Sequence, residues 1–424
     1  MHDFDLNIKN LSKIEGHATL EIKVRKDKVE KVKLIVEENR RFYEEGVVGK
    51  DYRTIPQIVS RICGTCSVAH LTCASEAIER AFNVDISRQT MVLRKLSLMG
   101  MILRDHAMHL YFFVLPDILG KESVLDFDKN EHHFLREGFD MKAAGNVLTK
   151  LVGGRAIHPM FAQVGHFSKI PEPSKIKETI QILKDSREKC FDIMEIMESY
   201  ESKFKRKTNY VAIADTNYAF LEGRIFDAKG WNVPEKKIGD YLNEVVIPYS
   251  QGTGFEFKNK EYLVGAIARM NVNKNALHKD TRKDTAKYLS VFPTDDIYRN
   301  NLAQAIENLH CIDASIEMLE SENFKEEKEP EIVVSDSEGV GVVEAPRGLL
   351  YNRFKIDKNG RIKESKIVTP TAQNQIRMEN DIKQLVEENL DKSEEQIRIL
   401  VEELIRSYDP CMTCASRFLK LKWI

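Results

Sequence analysis

Four cysteines in two C-x-x-C pairs, one near each end of the chain, are the residues best suited to chemistry: Cys63-Gly64-Thr65-Cys66 and Cys411-Met412-Thr413-Cys414. Four soft thiolates can enclose a metal if the fold brings the two ends together. The surrounding stretches are Arg61-Ile62-Cys63-Gly64-Thr65-Cys66-Ser67-Val68-Ala69-His70 and Asp409-Pro410-Cys411-Met412-Thr413-Cys414-Ala415-Ser416-Arg417. Structural zinc would use the same donors. Against it stand the separation of the pairs by most of the chain, where zinc ribbons close a local loop, and a first pair that opens a helical pattern. A thioredoxin-like redox pair needs one such motif in a βαβ unit, which is missing. An iron–sulfur cluster is compatible with four cysteines.

Composition narrows the setting. With 424 residues the chain can bury a large core, and 64 basic against 66 acidic residues leave a net charge of -2. That balance offers no global field for nucleic acid or an anionic membrane. No run approaches the roughly 20 apolar residues that span a bilayer, and Met1-His2-Asp3-Phe4-Asp5 lacks the basic and apolar regions of a signal peptide. A cytoplasmic location is expected. Seven cysteines, an odd count in a long chain, point to thiols or metal ligands over a disulfide framework. Cys73, Cys190 and Cys311 have no partner spacing and read as small buried residues.

The elements that must position the pairs are mainly helical. Residues 6–38 alternate, with Ala18, Leu20, Ile22 and Val24, then Val29, Val32, Leu34 and Val36, about the Lys26-Asp27-Lys28 turn; this is a β-hairpin pattern, and it places Glu15 by a strand edge. From Pro56 to about Phe82 the apolar spacing becomes helical, which would set Cys63, Cys66 and His70 along one side of a helix or its first turns. Further helical patterns cover about Arg88–Leu115, Pro173–Arg206, Asp295–Leu319 and Gln375–Tyr408, and together suggest a central bundle. Gly153-Gly154-Arg155-Ala156-Ile157-His158-Pro159 marks a loop, and 321–331 a charged surface connection. The expected class is mainly α with peripheral β: one domain over 1–424, with an N-terminal β region at 6–38, a helical bundle with insertions at 54–320, a smaller β region at 332–372, and a C-terminal helix and metal-binding tail at 375–424.

Taken together, R-I-C-G-x-C-x-x-x-H and D-P-C-x-x-C-x-x-R resemble the large, catalytic subunit of [NiFe]-hydrogenases. The resemblance extends, in order, through Ile14-Glu15-Gly16-His17, Arg41-Phe42-Tyr43-Glu44, Asp105-His106, Gly153-Gly154-Arg155, Glu344-Ala345-Pro346-Arg347-Gly348 and Pro370-Thr371-Ala372-Gln373-Asn374. It implies a nickel–iron centre with CO and cyanide on the iron, Cys63 and Cys411 as terminal nickel ligands, and Cys66 and Cys414 as bridges. The resemblance places Arg347 over the metals, with Asp105 fixing its guanidinium and Asp409 beside the second cysteine pair. Cys411 or Arg347 would take the proton from H2, Glu15 would relay it, Thr371 would donate toward a cyanide, and His70 would hydrogen-bond the bridging sulfur. His106, His109 and His158 either pack or line a face toward a partner.

The resemblance also implies a magnesium-like site at Glu44. Its usual C-terminal histidine is replaced by Arg417, and arginine does not ligate metals, so Arg417 is expected to salt-bridge Glu44 instead. Only residues 418–424 follow Arg417, which suggests maturation without removal of an extension. No further cysteine cluster, G-x-G-x-x-G loop or P-loop is present, so electrons must leave through another polypeptide, an iron–sulfur small subunit, with further electron-transfer subunits beyond it. The R-F-Y-E-x-G-x-x-G-K-D-Y and P-T-A-Q-N stretches look like the cytosolic, multimeric, cofactor-coupled branch. The expected function is reversible heterolytic H2 oxidation and proton reduction. The alternative is a non-catalytic, complex I-like scaffold with a degenerate or zinc-filled site.

Overall fold

A computed structural model describes residues 3–39, 41–218 and 220–416. The N-terminal alternation forms the expected hairpin, Ala18–Arg25 with Lys28–Val36, and Phe4–Ile8 adds a third antiparallel strand. Leu20 lies opposite Leu34 and Ile22 opposite Val32. A one-residue slip would turn this apolar face to solvent, which fixes the register.

Helices Ser67–Phe82, Arg88–Met108, His132–Gly153 and Arg299–Ser321 form the centre. The pattern over Arg88–Leu115 holds as one rod with a change of winding: α to Met108, a π-helical turn at His109–Val114, then Leu115–Ile118. His132–Gly153 has no counterpart in the sequence reading. It packs on Arg88–Met108 through glycine, since a Cβ at Gly145 would meet Arg104 N at 2.6 Å. A contact made by small residues leaves little apolar periodicity to read.

Two long helical patterns are broken. Pro173–Arg206 divides into Pro173–Ser186 and Lys189–Ser199, and Gln375–Tyr408 into Pro370–Glu387 and Glu394–Ser407. Pro370 opens a helix and does not close the β region, because its missing N–H is harmless in a first turn. Likewise Cys63 and Cys66 precede their helix: a 3-10 turn at Ser60–Ile62 ends in an extended Cys63, and Cys66 is the N-cap of Ser67–Phe82.

The C-terminal-half sheet consists of Ser337–Ala345, Gly348–Ile356 and Ile362–Val368, with Gly348–Ile356 in the middle. It lies directly on Ser67–Phe82, where a Cβ at Gly339 or Gly341 would collide with the carbonyl oxygens of Ala77 and Cys73. Two smaller sheets, Val211–Ala214 with Arg224–Asp227 and Asn232–Pro234, and Leu242–Val246 with Thr253–Phe257, are insertions among the helices. The class is therefore mainly α with peripheral β. No described helix is long and apolar enough to cross a membrane.

Candidate metal centre

Folding brings the two cysteine pairs into one dry cluster. Cys63, Cys66, Cys411 and Cys414 are each at most 3% exposed, and none forms a disulfide. Cys63 Sγ lies 3.5 Å from Cys411 Sγ. The thiols of Cys63, Cys411 and Cys414 all lie within 4.8 Å of one another, the only convergence of three or more ligand side chains among the described residues.

Each loop repeats one device that the sequence shows but its reading passed over. Both pairs are Cys-x-Thr-Cys, and each threonine hydroxyl meets the first cysteine of its pair at 3.0 Å: Thr65 with Cys63, Thr413 with Cys411. Their anchors differ. Arg104, from helix Arg88–Met108, donates to the carbonyl of Thr65 at 2.5 Å and to that of Ala156 at 2.6 Å, tying the first loop to the Gly153–Pro159 loop. The second loop joins Glu15 through a parallel bridge, with Met412 N donating to Glu15 O at 2.8 Å. Thr369 Oγ1 donates to Cys414 O at 2.7 Å, and Thr371 Oγ1 accepts from Cys411 N at 3.0 Å. Arg41 spans both loops, donating to Ile62 O at 2.7 Å and also to Thr413 O.

Charge collects on one side. Arg347 is buried, with Nη1 2.6 Å from Asp105 Oδ2, Nη2 2.9 Å from Asp409 Oδ1, and Nη1 3.6 Å from Cys66 Sγ. Burial pulls the guanidinium toward neutrality, and the two carboxylates more than reverse this, so it stays a cation. Asp409 reaches it from a left-handed backbone, φ 51°, which aspartate tolerates after the end of Glu394–Ser407. Gln304 extends the set, donating to Asp409 Oδ2 at 2.8 Å and meeting His109 Nδ1 at 2.6 Å. Gln304 carried no sequence signal beyond its helix.

His70 Nε2 lies 3.7 Å from Cys414 Sγ, the opposite pair from the one beside it in sequence. Burial pushes its imidazole down to about 4, so the ring is neutral and can donate one N–H to a thiolate. Hydrogen bonds from Cys411, Cys414 and Cys66 hold the Cys63 thiol well below its usual range, while burial holds Cys411 well above. Burial first, then the Cys63 charge, raises the half-buried Glu15 carboxyl. Four thiols that share one dry pocket cannot all ionise without a cation among them. The donor set therefore fits soft metals such as nickel and low-spin iron.

Other expected residues lie apart from the cluster. Glu44 is buried below Ile362–Val368, with Oε1 accepting from Ile367 N at 2.8 Å. Its expected partner Arg417 lies outside the described residues, as does the 418–424 tail. His106 is buried with Nε2 2.7 Å from Glu307 Oε2, and His109 is buried against Gln304 and the Arg406 carbonyl. His158 is half-buried beside Ser60 at the mouth of the first loop.

Comparison with known proteins gives the family of the chain. The family model described as nickel-dependent hydrogenase matches residues 41–146 and 162–417. The chain is 30% identical over 423 residues to the alpha chain of sulfhydrogenase 1 of Pyrococcus furiosus, covering 98% of each. It is 29% identical over 412 residues to a chain of the vhu F420-non-reducing hydrogenase of Methanocaldococcus jannaschii, covering 89% of this chain and 97% of that one. Among solved structures, an NAD+-reducing [NiFe]-hydrogenase in the H2-reduced state superposes with a TM-score of 0.85 at 23% identity, over 98% of this chain and 100% of that one. The reduced Ni-Fe-Se hydrogenase of Desulfovibrio vulgaris Hildenborough gives 0.77 at 21%, with the same coverage. These structural likenesses speak for the fold.

Proposed function

Because the chain belongs to the nickel-dependent hydrogenase family, we propose that its four-cysteine cluster holds the nickel–iron centre of an H2-converting oxidoreductase, with Cys63 and Cys411 terminal on nickel and Cys66 and Cys414 bridging to iron. The observation that carries this assignment is the burial of four unpaired thiols in one pocket, capped by the Arg347 cation. When bound, the metals supply the acceptor for the electron pair of H2, with CO and cyanide on the iron.

The chain supplies the base and the proton route. Heterolysis of H2 yields one proton and one hydride equivalent, and only the complete oxidation yields two protons and two electrons, so a base must stand beside the reacting atoms to take the first proton. Cys411 Sγ is that base in this reading, and Arg347 holds the negative charge that gathers around it. Glu15, joined to the Cys411 backbone, receives the proton at its carboxylate and passes it outward. Thr371 accepts from Cys411 N through its oxygen, which leaves its own O–H to donate toward a cyanide. His70 donates to the Cys414 sulfur and adjusts its basicity.

Electrons leave to a partner. Phe42, Ile157 and Met160 are 50%, 42% and 55% exposed, on segments that hold the first cysteine loop: Tyr43 Oη bonds Arg61 O, and His158 N bonds Ser67 Oγ. Exposed apolar side chains on segments bonded to the residues flanking the first cysteine loop suit an iron–sulfur small subunit, with further electron-transfer subunits beyond it. A hard cation such as magnesium would find its carboxylate at Glu44.

The test is elemental analysis with infrared spectroscopy on the purified complex. Equimolar nickel and iron with CO and cyanide stretches, and H2-dependent dye reduction, are expected; magnesium that is present in wild type and lost in Glu44→Gln would assign the third cation to Glu44. Zinc alone would overturn the assignment in favour of the scaffold reading.

A further inference from the structure

Behind the cluster lies a set of buried charges that the reaction as described does not use. Arg269, from helix Ala266–Asn273, is 1% exposed, and all five of its N–H groups are engaged. Nε and Nη2 donate to the two carboxylate oxygens of Glu307 at 2.6 and 2.7 Å, and Nη1 donates to Glu344 Oε2 at 2.9 Å. Nη1 and Nη2 also reach the carbonyl oxygens of Ala345 and Pro346, each at 3.0 Å. Those two residues immediately precede Arg347. On its far side, Glu307 accepts from Tyr218 Oη at 2.5 Å and meets His106 Nε2 at 2.7 Å, and His106 immediately follows Asp105.

One buried pair thus grips the chain beside Arg347 and the chain beside Asp105, the two residues whose side chains meet at 2.6 Å over the cysteines. Ala345 and Gly348 pair across a two-residue turn, so the plane of the Pro346-Arg347 turn decides where the guanidinium points. Arg269 fixes that plane through its carbonyls. Stability alone does not explain the device, because apolar side chains of equal volume are often as stabilising as a buried ion pair.

We propose that Arg269 is a positioning residue for H2 conversion, the Arg269–Glu307 pair holding Arg347 against Asp105 above the metal cluster. This rests on the reading of Arg347 as the charge that faces the reacting centre. Lysine at 269 keeps the positive charge between two glutamates but has three N–H groups and no planar fork, so it cannot hold both carbonyls as well.

In the assembled enzyme, Arg269→Lys should lower H2-dependent dye reduction about 10- to 100-fold, with nickel, iron and thermal midpoint retained. Arg347→Lys alone should lower it about 100-fold or more. Adding Arg269→Lys to Arg347→Lys should change little further, because one residue acts through the other. In the metal-free protein, a crystal structure of Arg269→Lys should show Arg347 withdrawn from Asp105. Wild-type turnover in Arg269→Lys, or full multiplication of the two effects, overturns the positioning role. Wild-type turnover in Arg347→Lys overturns the reading of Arg347 itself, and the positioning role with it. Should Arg269→Lys not assemble, His106→Leu cuts the Asp105 arm and leaves Arg269 intact. A several-fold loss that vanishes in the Arg347→Lys background supports the clamp; an independent loss, or none, overturns it.

Discussion

Cys63 and Cys66 stand at the entrance of helix Ser67–Phe82, in which Arg80 alone escapes full burial, and a sheet lies on that helix with glycine-close contact. Cys411 caps, and Cys414 lies within, a four-residue helix, Met412–Ala415, held by hydrogen bonds with Glu15, Arg41, Thr369 and Thr371, all far away in sequence. The same Cys-x-Thr-Cys pattern is therefore built in twice by different means. The first pair inherits the rigidity of the core. The second closes onto it, and its position depends on segments that must arrive separately. A metal that needs all four sulfurs reports whether both halves are in place.

The largest break in this comparison is chemical. Cys411→Ser removes the thiolate read as both nickel ligand and base, so nickel retention and H2-dependent dye reduction should fall below detection while the complex still assembles. A protein that lacks turnover before the change, and so loses none, would favour the scaffold reading. Glu15→Gln is the next largest. The amide keeps the backbone bridge to Cys411 but cannot accept a proton, so turnover and H/D exchange with solvent should fall about 10²- to 10⁴-fold with the metals retained. Unchanged exchange would remove Glu15 from the route.

Much of this asymmetry was legible in the sequence. The hairpin, the helix after the first pair, and the Arg347 and Asp409 segments all carry strong local patterns, and the structure brings Arg347, Asp105 and Asp409 into contact. What the sequence hid were contacts without periodicity or motif. Arg104 and Gln304 each sit on a buried helix, where a polar residue looks like any other until its partner is known. Cys63 and Cys66 read as helical because the apolar spacing runs through them, yet the chain is extended at Cys63 and resumes a helix only after Cys66. His70 faces the pair at the far end of the chain, which no local spacing could disclose.

Arg41 tests whether the second half is docked rather than embedded. Its guanidinium joins the carbonyls of Ile62 and Thr413, one from each loop. Arg41→Met leaves both acceptors without that donor, a loss of about 2 kcal/mol. Hydrogen exchange should accelerate at 411–416 and stay unchanged at 67–82. Equal acceleration in both would mean that the two loops open as one unit, and the comparison would fail.

The smallest effect belongs to the first half and is a matter of pH. On helix Ser67–Phe82, Glu76 accepts from Val342 N at 2.9 Å and from Arg80 at 2.5 Å, and Arg80 also pairs with Glu235. Burial, and after it the Glu235 charge, pushes Glu76 up to about 8 from an ordinary 4.5. The folded protein therefore holds a proton that the unfolded chain releases, and the stability this provides is full below about 4.5 and is lost as pH rises through about 8. Glu235→Gln keeps an oxygen for Arg80 and removes the second charge, so the loss should move to lower pH. The shift is partial, because burial of Glu76 is the larger cause and is untouched. Thermal midpoints of the assembled enzyme between about pH 5 and 9 would show the decline ending at a lower pH and smaller in total, with amide protection factors at 67–82 following it and those at 411–416 unaltered by the substitution. A curve that does not move would mean that Glu76 carries its proton by burial alone.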